Sequence, residues 1–494
     1  MKYLNKPQII LLFITIGYIV LTILTANNCY IGDNIQQISK EAHWFYQTNF
    51  TSLLMPAQDS GSQIVATGYH PPLMGFMTAI LWKVFGYQLW VSHVFSMIWA
   101  LILIFNVWKL INLFIPEKFA VWAFVIVMLE PTVLTQFSIA SPDFILFTAF
   151  IVSLRAVFER KSWLLVVGLI FLCGINMRGI FVGAILFIAH CYYVYLQDKR
   201  LGLRSFFNII LPYLPILILL TAYFIYYFTQ RGWFFTNTNG SDHYSMPAGI
   251  GRIIRHLAEF GLRTVENGRI LIWLLGFYVT FKILKSKSNL SIQMKTMLLF
   301  WILLTALYLL FVCITQMPFS ARYFMPQYFL LTMLVLIGMT TIFEFKRNRL
   351  VFILILIFEL TGNCWIYPEM IAKSWDCTMA HLPYYQVRRE CFDYIDQQKL
   401  DYKDISAGFY LYGDRKFAEL KNAGKGVDNN PNLKYFIYSN ISNVEDSLAY
   451  ALKNKTQWEP IKRFEKGVIF IEIYKKISVN KVEHEIIKVS ESTY

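Results

Sequence analysis

Charged residues are scarce in this sequence. Of its 494 residues only 15% are charged, while 56% are hydrophobic and 17% are aromatic. A soluble chain of this length needs far more charge to cover its surface, so the composition excludes an entirely soluble protein and indicates that much of the surface faces lipid. The chain also lacks an internal repeat of fixed period, and it therefore gives no support to a β-barrel or a solenoid.

Acidic residues are the scarcer of the two charged classes. The chain has 31 Asp and Glu residues against 45 Lys and Arg residues, which gives a net charge of +14. No basic and aromatic RNA-binding motif accompanies this excess, so we expect no nucleic-acid partner. We attribute the excess to positively charged cytoplasmic loops, whose distribution sets the orientation of membrane spans.

Long hydrophobic runs are abundant up to about residue 366. Windows of about 20 apolar residues can cross the hydrocarbon layer as helices, and they predict an α-helical polytopic membrane protein with about eleven transmembrane helices. The predicted spans are residues 8–27, 88–113, 118–139, 143–158, 162–178, 179–197, 205–228, 269–284, 296–315, 324–343 and 349–366. No small-residue cleavage pattern follows the first span, so we expect it to be retained.

The basic residues favour a cytoplasmic N-terminus. In that orientation every short inside loop is basic, as at Arg155, Arg160 and Lys161, in agreement with the positive-inside rule. The outer face then receives residues 28–87 and 229–268 and the whole chain beyond the last span. We expect a multi-pass protein of the bacterial cytoplasmic (inner) membrane whose C-terminal domain is extracytoplasmic.

Three domains follow from these patterns: a transmembrane domain over residues 1–366, a soluble α/β domain over 367–476 and a polar tail over 477–494. The soluble domain is indicated by the strand-like runs "ISAGFYLYG", "LKYFIYSN" and "GVIFIEIYKK" and by the helix-like "YYQVRRECFDYIDQQK". Within outer loops 28–87 and 229–268, "PPLMGFMTAILWKVFG" and an amphipathic stretch beginning near Ile250 predict interfacial helices.

Cysteine is also sparse, with seven residues in the chain. Three of them lie in predicted spans and are expected to be packing residues. The other four lie on the predicted outer face or, in the case of Cys364, at the outer end of the last predicted span, where disulfides can persist. These four are Cys29, Cys364, Cys377 and Cys391. Four cysteines allow three pairings, and the sequence does not choose among them.

Three titratable residues lie at predicted outer ends of spans. Asp33, in "CYIGDNIQQI", is either a helix cap together with Asn34 or a carboxylate base at the membrane boundary. His70, in "GYHPPLMGF", is either a solvated loop residue or a hydrogen-bond donor to an anion. Asp143, in "IASPDFILF", is either a cap beside Ser141 or a functional ionisable group at the lip of a span.

Three arginines also lie at predicted outer ends, namely Arg178, Arg231 and Arg322. Each could extend to the membrane interface without any ligand. However, positive charge is disfavoured in short outer connections, so an anionic partner is expected. Phosphate suits the forked geometry of the guanidinium group.

The order of these motifs resembles the GT-C superfamily of membrane glycosyltransferases. An outer-loop aspartate, "HPPL" with a following "FG", an outer "SPD", an "RG" one span later and "RYFMP" near the last spans follow one another along roughly residues 8–345. In this order the chain is most similar to the protein O-mannosyltransferases and the lipid A aminoarabinose transferases. Each motif is short, and their order and shared location carry the resemblance.

The resemblance implies a role for individual residues. It assigns the catalytic base to Asp33 and contact with the donor phosphate to His70, Arg322 and Tyr323. Asp143, Arg178 and Arg231 are expected to bind substrate at the same face. Two positions depart from the family pattern. Asn34 stands where many relatives have Glu, which puts a second carboxylate in doubt, and His70 stands where relatives often have Lys, which makes the phosphate contact weaker or pH-dependent.

The implied reaction is the transfer of a sugar from a polyprenyl-phosphate carrier to a hydroxyl group of a lipid, glycan or protein, with inversion at the anomeric carbon. The lipid-linked sugar is the donor substrate, and a requirement for a divalent metal is left open. Two alternatives are a transporter or lipid flippase, which needs polar or broken segments at mid-membrane depth, and an O-antigen-type ligase or polymerase. The "HPPL" segment close to the first span favours the single-sugar transferase.

Overall fold

The structure, a computed structural model, is described over nine segments of the chain. These are residues 6–55, 70–232, 249–286, 290–314, 319–342, 345–368, 371, 373–454 and 457–477. The middle of the predicted first outer loop, the polar start of the second and the predicted tail beyond residue 477 lie outside the described residues.

Helices dominate the described chain. In chain order they are α1 Lys6–Thr25, α2 Glu41–Thr48, α3 Leu73–Phe85, α4 Leu89–Phe114, α5 Glu117–Met128, α6 Pro131–Ser138, α7 Pro142–Phe158, α8 Ser162–Ile175, α9 Met177–Asp198, α10 Leu203–Ile210, α11 Leu214–Arg231, α12 Ile250–Val265, α13 Ile270–Ser286, α14 Ile292–Ile314, α15 Met325–Ile342, α16 Phe345–Gly362, α17 Tyr384–Gln397, α18 Arg415–Glu419 and α19 Asp446–Lys453. A π-helical turn, Ile35–Lys40, precedes α2, and a 3-10 turn, Ala321–Phe324, precedes α15.

Among the described residues, six helices are long and apolar enough to cross a membrane, or up to eight spans if each bent helix pair counts as one. All eleven predicted spans fall on helices, but the count of eleven is not confirmed. The helices α7 and α8 have only 17 and 14 residues. The helix α16 includes several basic residues and Glu359 and is therefore less apolar.

Sharp bends occur within the third predicted span and after the predicted amphipathic helix. The predicted span 118–139 is divided into α5 and α6, which meet at 51°. Pro131 begins α6 and has no N–H to continue α5, while the Glu130 carboxylate accepts from the backbone N–H of Val133 at 2.8 Å. The predicted amphipathic helix is α12, which exposes Ile250 and Ile254 and meets α13 at 91°.

The centre of the helical bundle is α7. Every residue of this helix is buried, and its neighbours include α4, α8 and α9. At its C-terminal end Arg155 pairs with Glu159 at 2.9 Å, and at its N-terminal end Asp143 lies in the first turn. The end of the bundle at which Asp143 lies is called the domain end, because the chain after α16 packs there.

The chain after α16, called the C-terminal domain, contains six strands in its described part. They are β1 Ile405–Ala407, β2 Gly413–Asp414, β3 Gly426–Val427, β4 Tyr435–Ser439, β5 Trp458–Lys466 and β6 Ile469–Lys476. Four of them form a sheet in the order β1-β4-β6-β5, in which β1 and β4 are parallel and the other neighbours antiparallel. Strands β1, β4 and β6 and helix α17 lie within the predicted runs. Strand β5 was not predicted because its sequence, "WEPIKRFEK", is too polar to suggest one.

The C-terminal domain rests on the loop that follows α1. The backbone N–H of Tyr30 donates to the carbonyl of Ala418 at 2.9 Å. Gly32 has a φ of +52°, and a Cβ at this position would lie 3.3 Å from the Tyr410 ring. The Ser39 hydroxyl donates to the backbone carbonyl of Phe417. These contacts hold the segment that carries Asp33 against the domain.

The cysteines, all seven of which lie in the described part of the chain, are free thiols. Cys377 and Cys391 are buried in the C-terminal domain, whereas Cys364 is exposed. None of the three possible pairings among the outer cysteines is formed in this structure.

Candidate active site

Arg322 lies at the centre of a group of charged side chains at the domain end. It belongs to the 3-10 turn before α15, and only 10% of its side chain is exposed. Its Nη2 pairs closely with Asp33, its Nη1 pairs closely with Asp376, and its Nε lies 3.2 Å from Oδ2 of Asp143. The three carboxylates come from the loop after α1, from the C-terminal domain and from the start of α7.

Asp33 is the most accessible of the three carboxylates. Its side chain is 27% exposed, against 7% for Asp143 and 4% for Asp376. The helical turn that follows has no side-chain cap, since neither Asp33 nor Asn34 bonds to its free amides. The capping alternative for Asp33 is therefore wrong, and its carboxylate faces Arg322 at a position that a substrate can reach.

Asn34 is buried and serves the fold. It is 1% exposed, and its Nδ2 donates to the backbone carbonyl of Ile139 at 2.9 Å. A carboxylate at this position could not make that hydrogen bond in its ionised form. The departure from the family pattern at Asn34 therefore has a structural consequence, which ties the first loop to the end of α6.

Asp143 is held by several donors. The backbone N–H of Asp143 donates to the hydroxyl of Ser141 at 3.1 Å, so Ser141 is the cap of α7 and the Asp143 carboxylate is left for other partners. Its Oδ1 accepts from Arg178 at 2.5 Å and from Nδ2 of Asn176 at 3.4 Å. Asn176 was not among the predicted site residues, although it also caps the helix that carries Arg178.

Tyr323 lies against both arginines. The Arg178 guanidinium is 3.8 Å from the centroid of the Tyr323 ring, and that of Arg322 is 5.2 Å from it. Both are cation–π distances. Arg178 is 19% exposed and paired with Asp143, so extension into the interface does not explain its position. Its Nη1 is buried and has no hydrogen-bond partner among the described residues.

His70 joins the site from the segment before α3. Its Nδ1 accepts from the backbone N–H of Met177 at 3.3 Å, and its carbonyl accepts from the hydroxyl of Tyr223 at 2.9 Å. Burial and the positive charge of Arg178 lower the pKa of His70 to about 4. The imidazole is therefore neutral at pH 7 and carries its proton on Nε2, so it can offer a hydrogen bond but no charge. Arg231 ends α11, and its side chain lies outside the described residues.

Asp376 is the charged residue of the site that the sequence did not indicate. It lies in the short turn Trp375–Cys377 of the C-terminal domain, and its Oδ1 accepts from the hydroxyls of Ser320 at 3.3 Å and Ser374 at 3.4 Å. The surrounding "KSWDCTM" has no periodicity or motif that would mark it. Only the folded chain places this carboxylate beside Arg322.

The charged residues Asp33, Asp143, Arg178, Arg322 and Asp376 are called the site cluster. With every member ionised, three carboxylates and two guanidinium groups give a net charge of −1, and His70 adds none. In the described part of the chain, no three His, Cys, Asp or Glu side chains are arranged to hold a metal ion. The arrangement can accept a proton at Asp33 and can hold an anion at Arg322 and Arg178.

Comparisons with known proteins confirm the resemblance inferred from the motifs. Residues 69–228 match the family model described as dolichyl-phosphate-mannose-protein mannosyltransferase. The fold is similar to that of ArnT from Cupriavidus metallidurans bound to undecaprenyl phosphate, with a TM-score of 0.54, 12% identity and coverage of 95% of this chain and 98% of that one. The apo state of that ArnT gives a TM-score of 0.53, 11% identity and coverage of 94% and 97%. No curated protein sequence matches the chain.

Proposed function

We propose that this protein is a membrane glycosyltransferase that moves a sugar from a polyprenyl-phosphate carrier to a hydroxyl acceptor at the domain end of the bundle. The observation that carries the proposal is the contact between Asp33 and Arg322, which are 289 residues apart in the sequence. In the family resemblance these two positions are the catalytic base and a phosphate ligand. Their meeting in one partly exposed site favours a shared reaction over two unrelated structural roles.

The proposed donor follows from the cations and from the comparisons. Arg322 and Arg178 offer forked N–H groups of the kind that bind phosphate, and Arg178 has a buried Nη1 with no hydrogen-bond partner in the described chain. The matching family model is named after dolichyl-phosphate-mannose, and the similar ArnT binds undecaprenyl phosphate. A polyprenyl-phosphate carrier is therefore the donor class that this site would take.

The proposed reaction is a single displacement. An acceptor oxygen attacks the anomeric carbon as Asp33 takes its proton, and the bond from that carbon to the phosphate oxygen breaks. The charge that develops on the departing phosphate is stabilised by Arg322 and by the Nε2–H of His70. The base and the leaving group lie on opposite sides of the reacting carbon, so the anomeric configuration inverts and the direct contact between Asp33 and Arg322 opens during transfer.

The proposed location is the extracytoplasmic face of the bacterial inner membrane. Arg155, Arg160 and Lys161 lie at the C-terminal end of α7, opposite the end that carries Asp143, as expected if the domain end is outside. A topology reporter fused after residue 366 should therefore be active only outside the cytoplasm. A cytoplasmic signal there would contradict this location.

The catalytic proposal is tested by replacing the base. Membranes with wild-type protein, Asp33→Asn or the control Asp393→Asn, an exposed carboxylate on α17, would be incubated with a panel of polyprenyl-phosphate sugars and membrane acceptors. A general base contributes roughly 10²–10⁴-fold to the rate, so Asp33→Asn should lose that factor in sugar transfer while the control keeps wild-type activity. Full activity of Asp33→Asn would refute the assignment of the base.

A further inference from the structure

We propose that the carboxylate of Asp376 occupies the place on Arg322 that the phosphate of the lipid carrier takes, so that the carrier phosphate and Asp376 exclude each other. The inference rests on the proposed function, because it takes Arg322 as a phosphate-binding residue. It gives the C-terminal domain a direct part in donor binding, since the domain supplies the group that the donor displaces.

Every nitrogen of Arg322 lies within ion-pair distance of a carboxylate, although Nε makes no hydrogen bond in the described part of the chain. Nη2 is paired with Asp33, Nη1 with Asp376 and Nε with Asp143. The site cluster already carries a net charge of −1, and an arriving phosphate would add further negative charge in a buried region where charges interact strongly. A phosphate can therefore bind Arg322 only after one of the three carboxylates has left it.

Of the two carboxylates that are not the proposed base, Asp376 is held by fewer charged groups. Asp143 also pairs with a second guanidinium group, that of Arg178, and it lies on α7, whose residues are all buried. Asp33 releases Nη2 when the sugar lies between it and Arg322, but a phosphate that binds the guanidinium through two oxygens also needs Nη1 or Nε. Apart from Arg322, the carboxylate of Asp376 contacts the hydroxyls of Ser320 and Ser374 and the thiol of the next residue in the chain.

A carboxylate is also a good substitute for the phosphate group. Both present two oxygens to the planar N–H groups of a guanidinium, so Asp376 satisfies Nη1 in the way a phosphate would. Without Asp376, Nη1 of this buried arginine would lack a hydrogen-bond acceptor in the empty enzyme, which is costly. Asp376 therefore supplies the acceptor for Nη1 of Arg322 while no carrier is bound.

The turn that carries Asp376 is part of the C-terminal domain. Trp375 is 1% exposed, and its indole N–H donates to the carbonyl of Asn440, which lies just after β4. The backbone carbonyl of Asp376 accepts from Nε2 of Gln136 on α6 at 2.6 Å. Withdrawal of the carboxylate therefore involves a turn that is joined to both the sheet and the membrane helices.

The first test measures binding of undecaprenyl phosphate to the purified full-length protein in detergent, for the wild type, Asp376→Asn and the control Asp393→Asn. Removing the competing carboxylate should tighten binding by on the order of tenfold. The control should bind as the wild type does. Equal or weaker binding by Asp376→Asn would overturn the inference, whereas a wild type that does not bind the lipid at all would overturn the proposed function itself.

A second measurement needs no variant. Amide hydrogen exchange of the wild type would be compared with and without undecaprenyl phosphate. Residues 373–382 should exchange faster when the lipid is bound, because Asp376 no longer holds their turn against Arg322. The β5–β6 hairpin, which lies elsewhere in the domain, should exchange at the same rate in both states. Unchanged or slower exchange of residues 373–382 would contradict the displacement.

Discussion

Two groups of buried charges, the site cluster and a second group at the helix bends, use different kinds of partner. The second group, called the elbow cluster, consists of Glu130, Arg263, Glu266 and Arg269 and lies where α5 meets α6 and where α12 meets α13. Arg269 donates from Nε to Glu130 at 2.9 Å and from Nη1 to the backbone carbonyl of Glu266 at 3.1 Å. Arg263 donates from Nε to the carbonyl of Phe319 at 2.8 Å and from Nη1 to the Glu266 carboxylate at 2.9 Å.

The difference lies in what could be exchanged for a substrate. In the elbow cluster every nitrogen of both arginines has a hydrogen-bond partner, and two of these partners are backbone carbonyls. In the site cluster the partners of Arg322 are side chains, and Nη1 of Arg178 has no partner among the described residues. Backbone carbonyls cannot leave without unfolding the chain, whereas carboxylates can be replaced by another anion. The comparison therefore separates charges that join helices from charges that bind a ligand.

The largest expected effect is on stability, at the elbow cluster. Glu130→Gln removes the carboxylate that faces the buried Arg269, and breaking such a pair costs about 3–5 kcal/mol of unfolding free energy. The measurement is thermal unfolding in detergent. Glu117→Gln, an exposed position at the start of α5, is the matched control and should unfold like the wild type. If the two variants unfold at the same temperature, the elbow cluster does not contribute to the stability of the fold.

In the site cluster the sign of the removed charge should decide the effect. Arg322→Gln leaves three carboxylates beside a single guanidinium, so we expect the unfolding free energy to fall by about 3 kcal/mol. Asp33→Asn removes excess negative charge and leaves Arg322 paired with Asp143 and Asp376, so it should stay within about 1 kcal/mol of the wild type. Thermal unfolding of both variants measures this. If Asp33→Asn lowers the unfolding free energy as much as Arg322→Gln does, the Asp33 carboxylate contributes to the fold as much as the Arg322 guanidinium.

A smaller loss is expected at Asn34. Asn34→Asp replaces a buried donor with a carboxylate that repels the carbonyl of Ile139, at a cost of about 1–3 kcal/mol. Unfolding of this variant would be compared with Asn430→Asp, where the exposed side chain accepts a hydrogen bond from the Asn432 amide and an aspartate can do the same. A stable and more active Asn34→Asp enzyme would argue for a second catalytic carboxylate at this position.

The smallest effect concerns His70 and depends on pH. The pKa of His70 is about 4 in the folded protein, because of burial and Arg178, against about 6.5 in an unfolded chain. The unfolded state therefore binds more protons between these values, so the contribution of the neutral imidazole is complete above pH 6.5 and is lost as the pH falls toward 4. Melting temperatures of His70→Gln should accordingly fall less between pH 7 and pH 5 than those of the wild type. A parallel decline would show that His70 is not held neutral.

The sequence predicted most of the helices because their apolar runs are long, and it predicted Asp33, His70, Asp143, Arg178 and Arg322 from their order along the chain. It could not predict Asp376, because a single aspartate in an irregular turn carries no periodicity and its role depends on how the C-terminal domain docks.

The bend between α12 and α13 was also invisible in the sequence. Gly268 approaches α16 so closely that a Cβ would lie 2.1 Å from the carbonyl of Phe358, a contact between distant segments that no local pattern reports. The α7 helix falls short of the usual span length, and because it is buried along its whole length it does not have to match the thickness of the lipid layer.

The complete burial of α7 affects the depth at which the site lies. A helix of 17 residues is about 25 Å long, whereas the hydrocarbon layer is about 30 Å thick. Because other helices surround α7 on every side, neither of its ends has to reach the headgroup region. Asp143 and its neighbours can therefore lie below the level of the surrounding lipid phosphates, and a carrier lipid that binds there would draw its own phosphate inward, away from bulk water.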